Sequence, residues 1–309
     1  VGEVLVRHSA IGVNFSDINV RRGGFYDSIL KGSGQGFPLI LGNEAAGTVV
    51  ALGSGVSEFN VGDRVAYAGI HGQFFEQSGA YCAMRSVPAD RLAPIPDAVS
   101  DEQAAACLLK GSTASLMINR LRRPGPGDTV LVNTAASGVG SYLCQWSRYL
   151  GATVIGTVGH PDKVPVARQN GCHHVLSYKS DSFDEELAQL CPSGIDILFD
   201  GVGARTFLRC IPRMAPFGTM INYGNASGPV PPLDIQALAM RSVSVARAGV
   251  TGHIGTTDDL RRTAAELFSL VSRGVLTPRI HARFALADAA LAHQEAETAR
   301  AAGSILLIP

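Results

Sequence analysis

The sequence lacks long hydrophobic segments, paired cysteines and any excess of charge of one sign. No apolar run reaches the roughly 18–20 residues that cross a bilayer, so we expect no membrane-spanning helix. The six cysteines are scattered without a C-x-x-C pair, which argues against a disulfide framework and favours reduced thiols in a cytoplasmic protein. Basic and acidic residues number 26 each, so nothing in the net charge favours nucleic acid or an anionic membrane surface as a partner.

What the sequence does contain is typical of a globular protein with a large core. It has 309 residues, 46% of them hydrophobic, which is enough for about two domains. Thirty-five glycines predict many tight turns and close backbone contacts. The first residues, Val1–Val6, alternate like a strand and do not form a signal peptide. Because there is no initiating methionine, we expect upstream residues to be missing.

The first hundred residues predict short strands separated by glycine-containing turns. These strands are predicted at Val4–Ile11, Ala46–Leu52, Asp63–Ala68 and Gly79–Val87. Strands at this spacing are typical of a barrel-like, mainly antiparallel unit. Near residue 100 the pattern changes, because Ser100 and the acidic residues after it predict the start of an alanine-rich helix.

From residue 129 onward, apolar strands alternate with amphipathic helices. The predicted strands are Thr129–Asn133, Thr153–Val158, His174–Ser177, Ile195–Asp200 and Thr219–Tyr223, with a sixth near Ser242–Ala248. The predicted helices between them are Val139–Leu150, Asp162–Asn170, Ser182–Gln189 and Thr206–Arg213. This alternation indicates a doubly wound parallel sheet of the Rossmann type.

The C-terminal segment predicts a return to the first domain. A long amphipathic helix is predicted over Asp258–Arg273, and Arg283–Pro309 follows as strand, helix and strand. The last strand is apolar enough to enter the first domain's core. We therefore predict a discontinuous catalytic domain, residues 1–100 and 250–309, with a nucleotide-binding domain, residues 101–249, inserted into it.

The turn after the first parallel strand is a candidate nucleotide site. It reads Asn133-Thr-Ala-Ala-Ser-Gly-Val-Gly140, in which only the last glycine of a strict G-x-G-x-x-G pattern is present. Small residues there let the backbone approach a pyrophosphate at a helix N-terminus. Taken alone, the turn is also compatible with a structural role or another ligand, and the five strands that follow favour a dinucleotide.

The end of the second parallel strand discriminates between the two nicotinamide dinucleotides. NAD sites usually carry Asp or Glu there, whereas this strand is followed by Gly159. Lys163 lies one helical turn further on, where it could pair with a 2′-phosphate, although most lysines at such positions are simply solvated. The nearby Asp162 has a structural explanation at a helix start. The pattern favours NADP.

Together these segments resemble the zinc-independent quinone oxidoreductases (zeta-crystallin-like) of the medium-chain dehydrogenase/reductase superfamily. The matching blocks are Gly12–Asp17, Glu44–Gly47, Val61–Val65, Leu109–Thr113, Gly138–Gly140 and Tyr223–Gly228. The resemblance covers nearly the whole chain and implies a GroES-like, mainly β catalytic domain plus a Rossmann domain that binds NADPH. It also implies that about 25 N-terminal residues of the family are absent.

The resemblance implies a specific set of site residues. Asn14 would lie beside the nicotinamide, and Tyr26 would line the substrate pocket; these two are the candidate catalytic residues. Other cofactor contacts would come from Lys110, Thr113, Ala136, Gly138, Val139, Gly159, Lys163, Tyr178, Tyr223, Gly224, Asn225 and Arg247. Three departures from the family stand out: Asn19 replaces a second pocket tyrosine, Ser137 replaces a glycine, and Arg247 has unusual neighbours.

A zinc site is not expected. Zinc alcohol dehydrogenases of the same superfamily carry Cys and His where this sequence has Asn14 and Asn43, and amides are poor zinc ligands. The region of residues 70–90 offers only Cys82 for a structural zinc lobe. His71, His173 and His174 are better explained as solvated or packed.

These features predict an NADPH-dependent reductase of quinones or α,β-unsaturated carbonyls. Such acceptors take hydride without a Lewis acid. A non-catalytic NADPH-binding structural or regulatory protein and a zinc alcohol dehydrogenase are the alternatives. Asp17 and Glu44 suit either a pocket or a structural role. If the sixth strand is an exposed edge, a homodimer, or a tetramer, would cover it.

Overall fold

We describe the protein from a computed structural model, which covers residues 1–23, 38–69, 78–298 and 300–309. The chain forms two compact units. Val1–Ser112 and Val250–Pro309 make the first unit, and Thr113–Gly249 make the second. The predicted boundary at residue 100 lies just before the helix Asp101–Leu116. The two units divide inside that helix, between Ser112 and Thr113. Along the described ranges, no helix combines the length and apolar character needed to cross a membrane.

The first unit is built on a seven-stranded sheet. Its strands are β1 (Glu3–Val13), β2 (Glu44–Leu52), β3 (Arg64–Ala68), β4 (Met84–Pro88), β5 (Ala93–Pro94), β12 (Ile280–Ala285) and β13 (Ser304–Ile308). Their order is β12-β13-β1-β2-β3-β5, and β4 pairs with β1. All pairs are antiparallel except β12 with β13.

Strand alternation explains how this sheet forms its core. In β1, Val4 and Val6 are fully buried because alternate side chains point to the same face. The C-terminal strand returns against β1, with Ile11 opposite Leu307, and both side chains are fully buried. This pairing places the end of the chain in the same core as its beginning.

Four helices accompany the sheet: α1 (Phe15–Arg22), α2 (Asp101–Leu116), α6 (Thr257–Ser272) and α7 (Ala289–Glu297). The predicted start of α2 is confirmed by a reciprocal cap. The Gln103 backbone N–H donates to Ser100 Oγ at 3.1 Å, and the Ser100 N–H donates to Gln103 Oε1 at 2.9 Å. Such a capping box satisfies two otherwise unpaired donors.

The second unit contains a six-stranded sheet in which every pairing is parallel. Its strands are β6 (Thr129–Asn133), β7 (Thr153–Val158), β8 (His174–Ser177), β9 (Ile195–Asp200), β10 (Met214–Asn222) and β11 (Ser244–Arg247). Their order is β11-β10-β9-β6-β7-β8. The α-helices between strands are α3 (Gly138–Tyr149), α4 (Val164–Gln169) and α5 (Phe183–Leu190). This doubly wound arrangement confirms the predicted Rossmann sheet.

One predicted element is wrong in type. Thr206–Arg213 was expected to be an α-helix, but the chain there forms 3₁₀ turns over Leu208–Arg213. Pro212 lies inside this segment. Because proline has no N–H donor and clashes with the preceding turn, it opposes a regular α-helix at that point.

Candidate functional site

The nucleotide turn of the second unit connects β6 to α3. Ser137 is the N-cap of α3, and its Oγ accepts a hydrogen bond from the Gly140 N–H at 3.1 Å. A Cβ at Gly140 would lie 2.0 Å from the Thr134 carbonyl oxygen, so only glycine allows this close packing. The small turn residues Ala135 and Ala136 are buried. The result is a helix N-terminus of the kind that binds phosphate.

Backbone strain and a tyrosine hydroxyl mark the start of the same turn. Thr134 has φ = +74°, a left-handed conformation that is unfavourable for a residue with a branched side chain. Its Oγ1 lies 3.1 Å from the Tyr223 hydroxyl, which also donates to the Asn133 carbonyl at 3.3 Å. The end of β10 and the nucleotide turn are therefore tied together.

The residues after β7 and β8 form a second feature of this unit. Val158 and Ser177 are register partners, so Gly159 and Tyr178 follow them side by side. A Cβ at Gly159 would lie 2.4 Å from the Tyr178 hydroxyl. Half-buried Lys163 is nearby, and burial together with the charge of Lys179 lowers its pKa. Such a concentration of positive charge favours an anion.

Asp162, the acidic residue of this region, is exposed to solvent and pairs with a histidine. The Asp162 side chain is 86% exposed and pairs with His160, the two atoms lying 3.2 Å apart. It belongs to a 3₁₀ turn, Pro161–Lys163, that precedes α4. The carboxylate that would bind a ribose 2′-hydroxyl in an NAD site is thus replaced by Gly159.

A row of buried polar residues beneath the site was missed from the sequence. Register places Thr157, Asn133, Asp200 and Asn222 on four neighbouring strands. Asp200 is fully buried and accepts from Asn133 Nδ2 at 2.6 Å and from the Gly203 N–H at 2.7 Å. The available signal was a polar residue at the last or next-to-last position of each of these four strands, near the edge where ligands of parallel sheets bind.

The other predicted contacts of this unit occupy strand ends or the helix that joins the units. Gly224 packs against Gly201, and Asn225 against Gly203. Arg247 ends β11, and its Nη1 donates to the Asn222 carbonyl at 3.1 Å. Gly138 and Val139 begin α3, and Thr113 lies half-buried in α2.

In the first unit, a buried carboxylate organises the predicted residues Asn14 and Lys110. Glu44 has no exposed surface. Its Oε1 accepts from Asn14 Nδ2 at 2.9 Å and from Lys110 Nζ at 2.8 Å, and its Oε2 accepts from the Leu109 N–H at 2.9 Å. Glu44 therefore fixes both side chains, which supports a structural contribution to this cluster.

A second buried carboxylate, Asp17, lies in the same unit. Asp17 Oδ2 accepts from the Asn14 N–H at 2.8 Å and from the Tyr81 hydroxyl at 3.3 Å, while Oδ1 accepts from Asn43 Nδ2 at 2.6 Å. Burial raises its pKa to about 7, against the lowering effect of the hydrogen bonds from Asn14 and Asn43. Asp17 thus titrates near neutral pH.

The donor set at these positions does not fit zinc. Asn14 and Asn43 present amides, and their Nδ2 groups already donate to Glu44 and Asp17. Over the described parts of the chain, no group of three His, Cys, Asp or Glu side chains is arranged to hold a metal. Zinc sites require three or four such ligands. The predicted pocket residue Tyr26 and the excluded ligand His71 lie outside the described residues.

The fold and these two sites define a medium-chain dehydrogenase/reductase. Residues 1–97 match the alcohol dehydrogenase GroES-like domain, and residues 138–269 match the zinc-binding dehydrogenase domain. These matches confirm the predicted combination of a GroES-like and a Rossmann-type domain.

Full-length relatives define the family more narrowly. A quinone oxidoreductase of Pseudomonas aeruginosa is 38% identical over 99% of this chain and 91% of its own. The crystal structure of Escherichia coli quinone oxidoreductase complexed with NADPH superimposes with a TM-score of 0.88 at 35% identity, covering 100% of this chain and 92% of that one. A 2-haloacrylate reductase of Burkholderia sp. is 34% identical over 100% of this chain and 91% of its own. The chain belongs to the quinone oxidoreductase family, as its sequence motifs predict.

Proposed function

We propose that the protein uses NADPH to reduce quinones or related α,β-unsaturated carbonyl compounds without zinc. The relatives named for quinone and 2-haloacrylate reduction match it over nearly its full length. Both acceptor classes are electron-poor double-bond systems conjugated to a carbonyl group. A bound NADPH would supply a hydride, and such acceptors take hydride without a Lewis acid.

The observation that carries the cofactor assignment is the arrangement at Gly159. A side chain at Gly159 would clash with the Tyr178 hydroxyl, so glycine lets that hydroxyl pack against the end of β7, and the half-buried Lys163 supplies an ammonium group. A 2′-phosphate would be held by Lys163 and Tyr178, and the pyrophosphate by the N-terminus of α3 at Gly138 and Val139.

In this proposal the two units have different roles. The second unit binds the dinucleotide, with Ala136, Tyr223, Gly224, Asn225 and Arg247 completing its contacts. The first unit is catalytic: Asn14 contacts the nicotinamide, and Glu44 holds Asn14 and Lys110 in position. Thr113 borders the cofactor, and the family resemblance assigns a contact with the acceptor to Tyr26. Positioning of the reactants is the main contribution of these side chains.

We further propose a homodimer formed through β11. Within the described residues β11 pairs only with β10, and the apolar side chains Ile235, Met240 and Val245 are 72%, 92% and 40% exposed in the region around it. An edge strand with apolar neighbours favours pairing with a second copy. Sedimentation as a monomer at micromolar concentration would refute this. All six cysteines are free thiols, which supports the proposed cytoplasmic location.

The experiment that tests the function follows NADPH and NADH oxidation with 1,4-benzoquinone and with 2-methylcyclohex-2-en-1-one, with metal analysis of the same sample. We expect preferential NADPH oxidation that chelators do not change. NADPH binding without oxidation by either acceptor would favour a non-catalytic role. Stoichiometric zinc with loss of activity on chelation would instead indicate a zinc alcohol dehydrogenase.

A further inference from the structure

A chain of hydrogen bonds in the first unit ends on Asp17. The Tyr81 hydroxyl lies 3.3 Å from Asp17 Oδ2 and 2.9 Å from His293 Nε2. His293 Nδ1 in turn lies 3.3 Å from Arg21 Nη1. The four residues come from three separate parts of the sequence, and their polar atoms form one continuous line.

Elementary donor and acceptor rules fix the direction of this chain. A guanidinium only donates, so His293 Nδ1 accepts and the ring carries its proton on Nε2. That N–H then donates to the Tyr81 oxygen, which leaves the Tyr81 O–H to donate to Asp17. Every link therefore points toward the carboxylate, which is the order that stepwise proton movement into Asp17 requires.

The middle of this hydrogen-bond chain is buried, whereas Arg21 at its outer end is exposed to solvent. Asp17 and His293 are 1% and 2% exposed, whereas the Arg21 side chain is 40% exposed. Arg21 also pairs with Glu297, whose side chain is 22% exposed. A solvent proton reaching His293 Nδ1 would need only to displace the long bond from Arg21.

The charged surroundings favour a neutral histidine and a titrating carboxylate. Burial and the Arg21 charge lower the pKa of His293, which Glu297 opposes. Burial and Glu44 raise the pKa of Asp17, which Lys110 opposes. Burial and the neighbouring Asp17 raise the pKa of Tyr81, so its hydroxyl passes protons without becoming a stable phenolate.

The inner end offers an acceptor beside Asp17. Asn43 is 2% exposed and donates through Nδ2 to Asp17 Oδ1, while within the described structure its own Oδ1 has no hydrogen-bond partner. A buried acceptor of this kind is costly unless a donor reaches it. A water bound to Asn43 Oδ1 would satisfy it next to the carboxyl group.

We propose that His293 and Tyr81 relay protons to Asp17, which protonates the reduced acceptor through a water held by Asn43. This inference rests on the proposed function. Addition of hydride to a quinone or enone leaves a hydroquinone anion or an enolate, which must gain one proton. The Asp17 carboxyl proton passes to that water, and the water passes one proton to the product anion.

The hydrogen-bond chain then returns a proton to the Asp17 carboxylate. Its carboxylate takes the Tyr81 hydroxyl proton, Tyr81 takes the Nε2 proton of His293, and His293 Nδ1 takes a proton from solvent. The imidazole ends with its proton on the opposite nitrogen and regains the original tautomer by exchange. One solvent proton is consumed for each hydride, so the step balances.

The test uses Tyr81→Phe, which removes only the hydroxyl, and Tyr67→Phe as its matched control. Tyr67 also contacts a buried histidine, with its hydroxyl 3.2 Å from His8 Nε2. His8 Nδ1 faces the Cys82 carbonyl at 2.8 Å, so Nδ1 donates and Tyr67 donates to His8. This second pair points in the opposite direction and has no contact with Asp17 among the described hydrogen bonds.

With 2-methylcyclohex-2-en-1-one, we expect Tyr81→Phe to lower kcat roughly tenfold or more, with a larger loss at pH 8 than at pH 6 and an unchanged KM for NADPH. Asp17→Asn should lower the enantiomeric excess at the α-carbon, because bulk water would then protonate either face. Tyr67→Phe should match the wild type. Equal kcat and pH profiles for the two phenylalanine variants, or an unchanged enantiomeric excess in Asp17→Asn, would overturn the relay.

An infrared measurement separates failure of the relay from failure of the proposed function. At pH 6 without cofactor, we expect a carbonyl band of a protonated carboxylic acid that is absent from Asp17→Asn and shifted in Tyr81→Phe. If the wild type reduces no acceptor but shows this band, the proposed function fails while the protonated Asp17 remains. If the acceptor is reduced and the band is missing, the relay fails alone.

Discussion

The nucleotide turn of the second unit and the carboxylate cluster of the first are assembled in opposite ways. Ser137 caps the N–H of a residue three positions away. Glu44, by contrast, joins Asn14 across 30 positions and Lys110 across 66, and Tyr81 meets His293 across 212. The turn is encoded by one short segment, whereas the cluster exists only after the chain has folded.

The two sites also differ in the charge that they bury. The turn is lined by hydroxyl and backbone groups, which form neutral hydrogen bonds of modest net strength. The cluster buries Glu44, Asp17 and most of Lys110. Because a buried charge without its partner is costly, we expect substitutions in the cluster to destabilise the protein more than those in the turn.

Glu44→Ala should produce the largest effect of this kind. It would leave the ammonium of Lys110, 10% exposed, and the Asn14 amide without their acceptor. We expect the free energy of unfolding to fall by about 3–5 kcal/mol, measured by urea denaturation. Glu58→Ala is the control, because its pair with Arg261 is 42% and 31% exposed and is expected to contribute at most about 1 kcal/mol. Similar losses in both variants would contradict the larger cost that we assign to breaking a buried ion pair.

Asp17→Asn should change how stability depends on pH. The folded pKa of about 7 lies above the ordinary 3.8, so the contribution of this carboxyl to stability is present below about pH 4 and is lost as the pH rises through 7. Asparagine does not titrate. Between about pH 5 and pH 8, the unfolding free energy of the variant should therefore gain about 2.6 kcal/mol relative to the wild type. Parallel pH profiles would contradict the raised pKa.

The contrast in assembly also explains what the sequence could predict. The five strands from β6 to β10 and the role of Gly140 follow from local periodicity and turn chemistry. Asn43, Tyr81 and His293 carry no local signal, since each acquires its partner only through tertiary contacts. Thr206–Arg213 was predicted to be a helix from its pattern between two strands, and Pro212 within it opposes a regular α-helix. The family resemblance supplied Asn14 and Lys110, but the sequence left Glu44, which joins them, open between a pocket role and a structural role.

Among the three substitutions that are expected to change stability, Ser137→Ala should have the smallest effect. It removes the N-cap acceptor of α3 and leaves the buried packing of Gly140 unchanged. We expect a loss of about 1 kcal/mol in the free energy of unfolding, measured by thermal denaturation. Because the same helix N-terminus is proposed to bind pyrophosphate, bound NADPH should reduce this loss. A loss as large as that of Glu44→Ala would show that the turn depends on more than local capping.

The most direct test of the central claim is calorimetric titration of wild type and Lys163→Ala with NADPH and with NADH. The claim is that the second unit selects the phosphorylated dinucleotide through Lys163 beside Gly159 and Tyr178. Loss of a charge-assisted hydrogen bond of about 1.5–3 kcal/mol should weaken NADPH binding roughly tenfold to 150-fold and leave NADH binding nearly unchanged. Equal weakening of both dinucleotides would contradict the account.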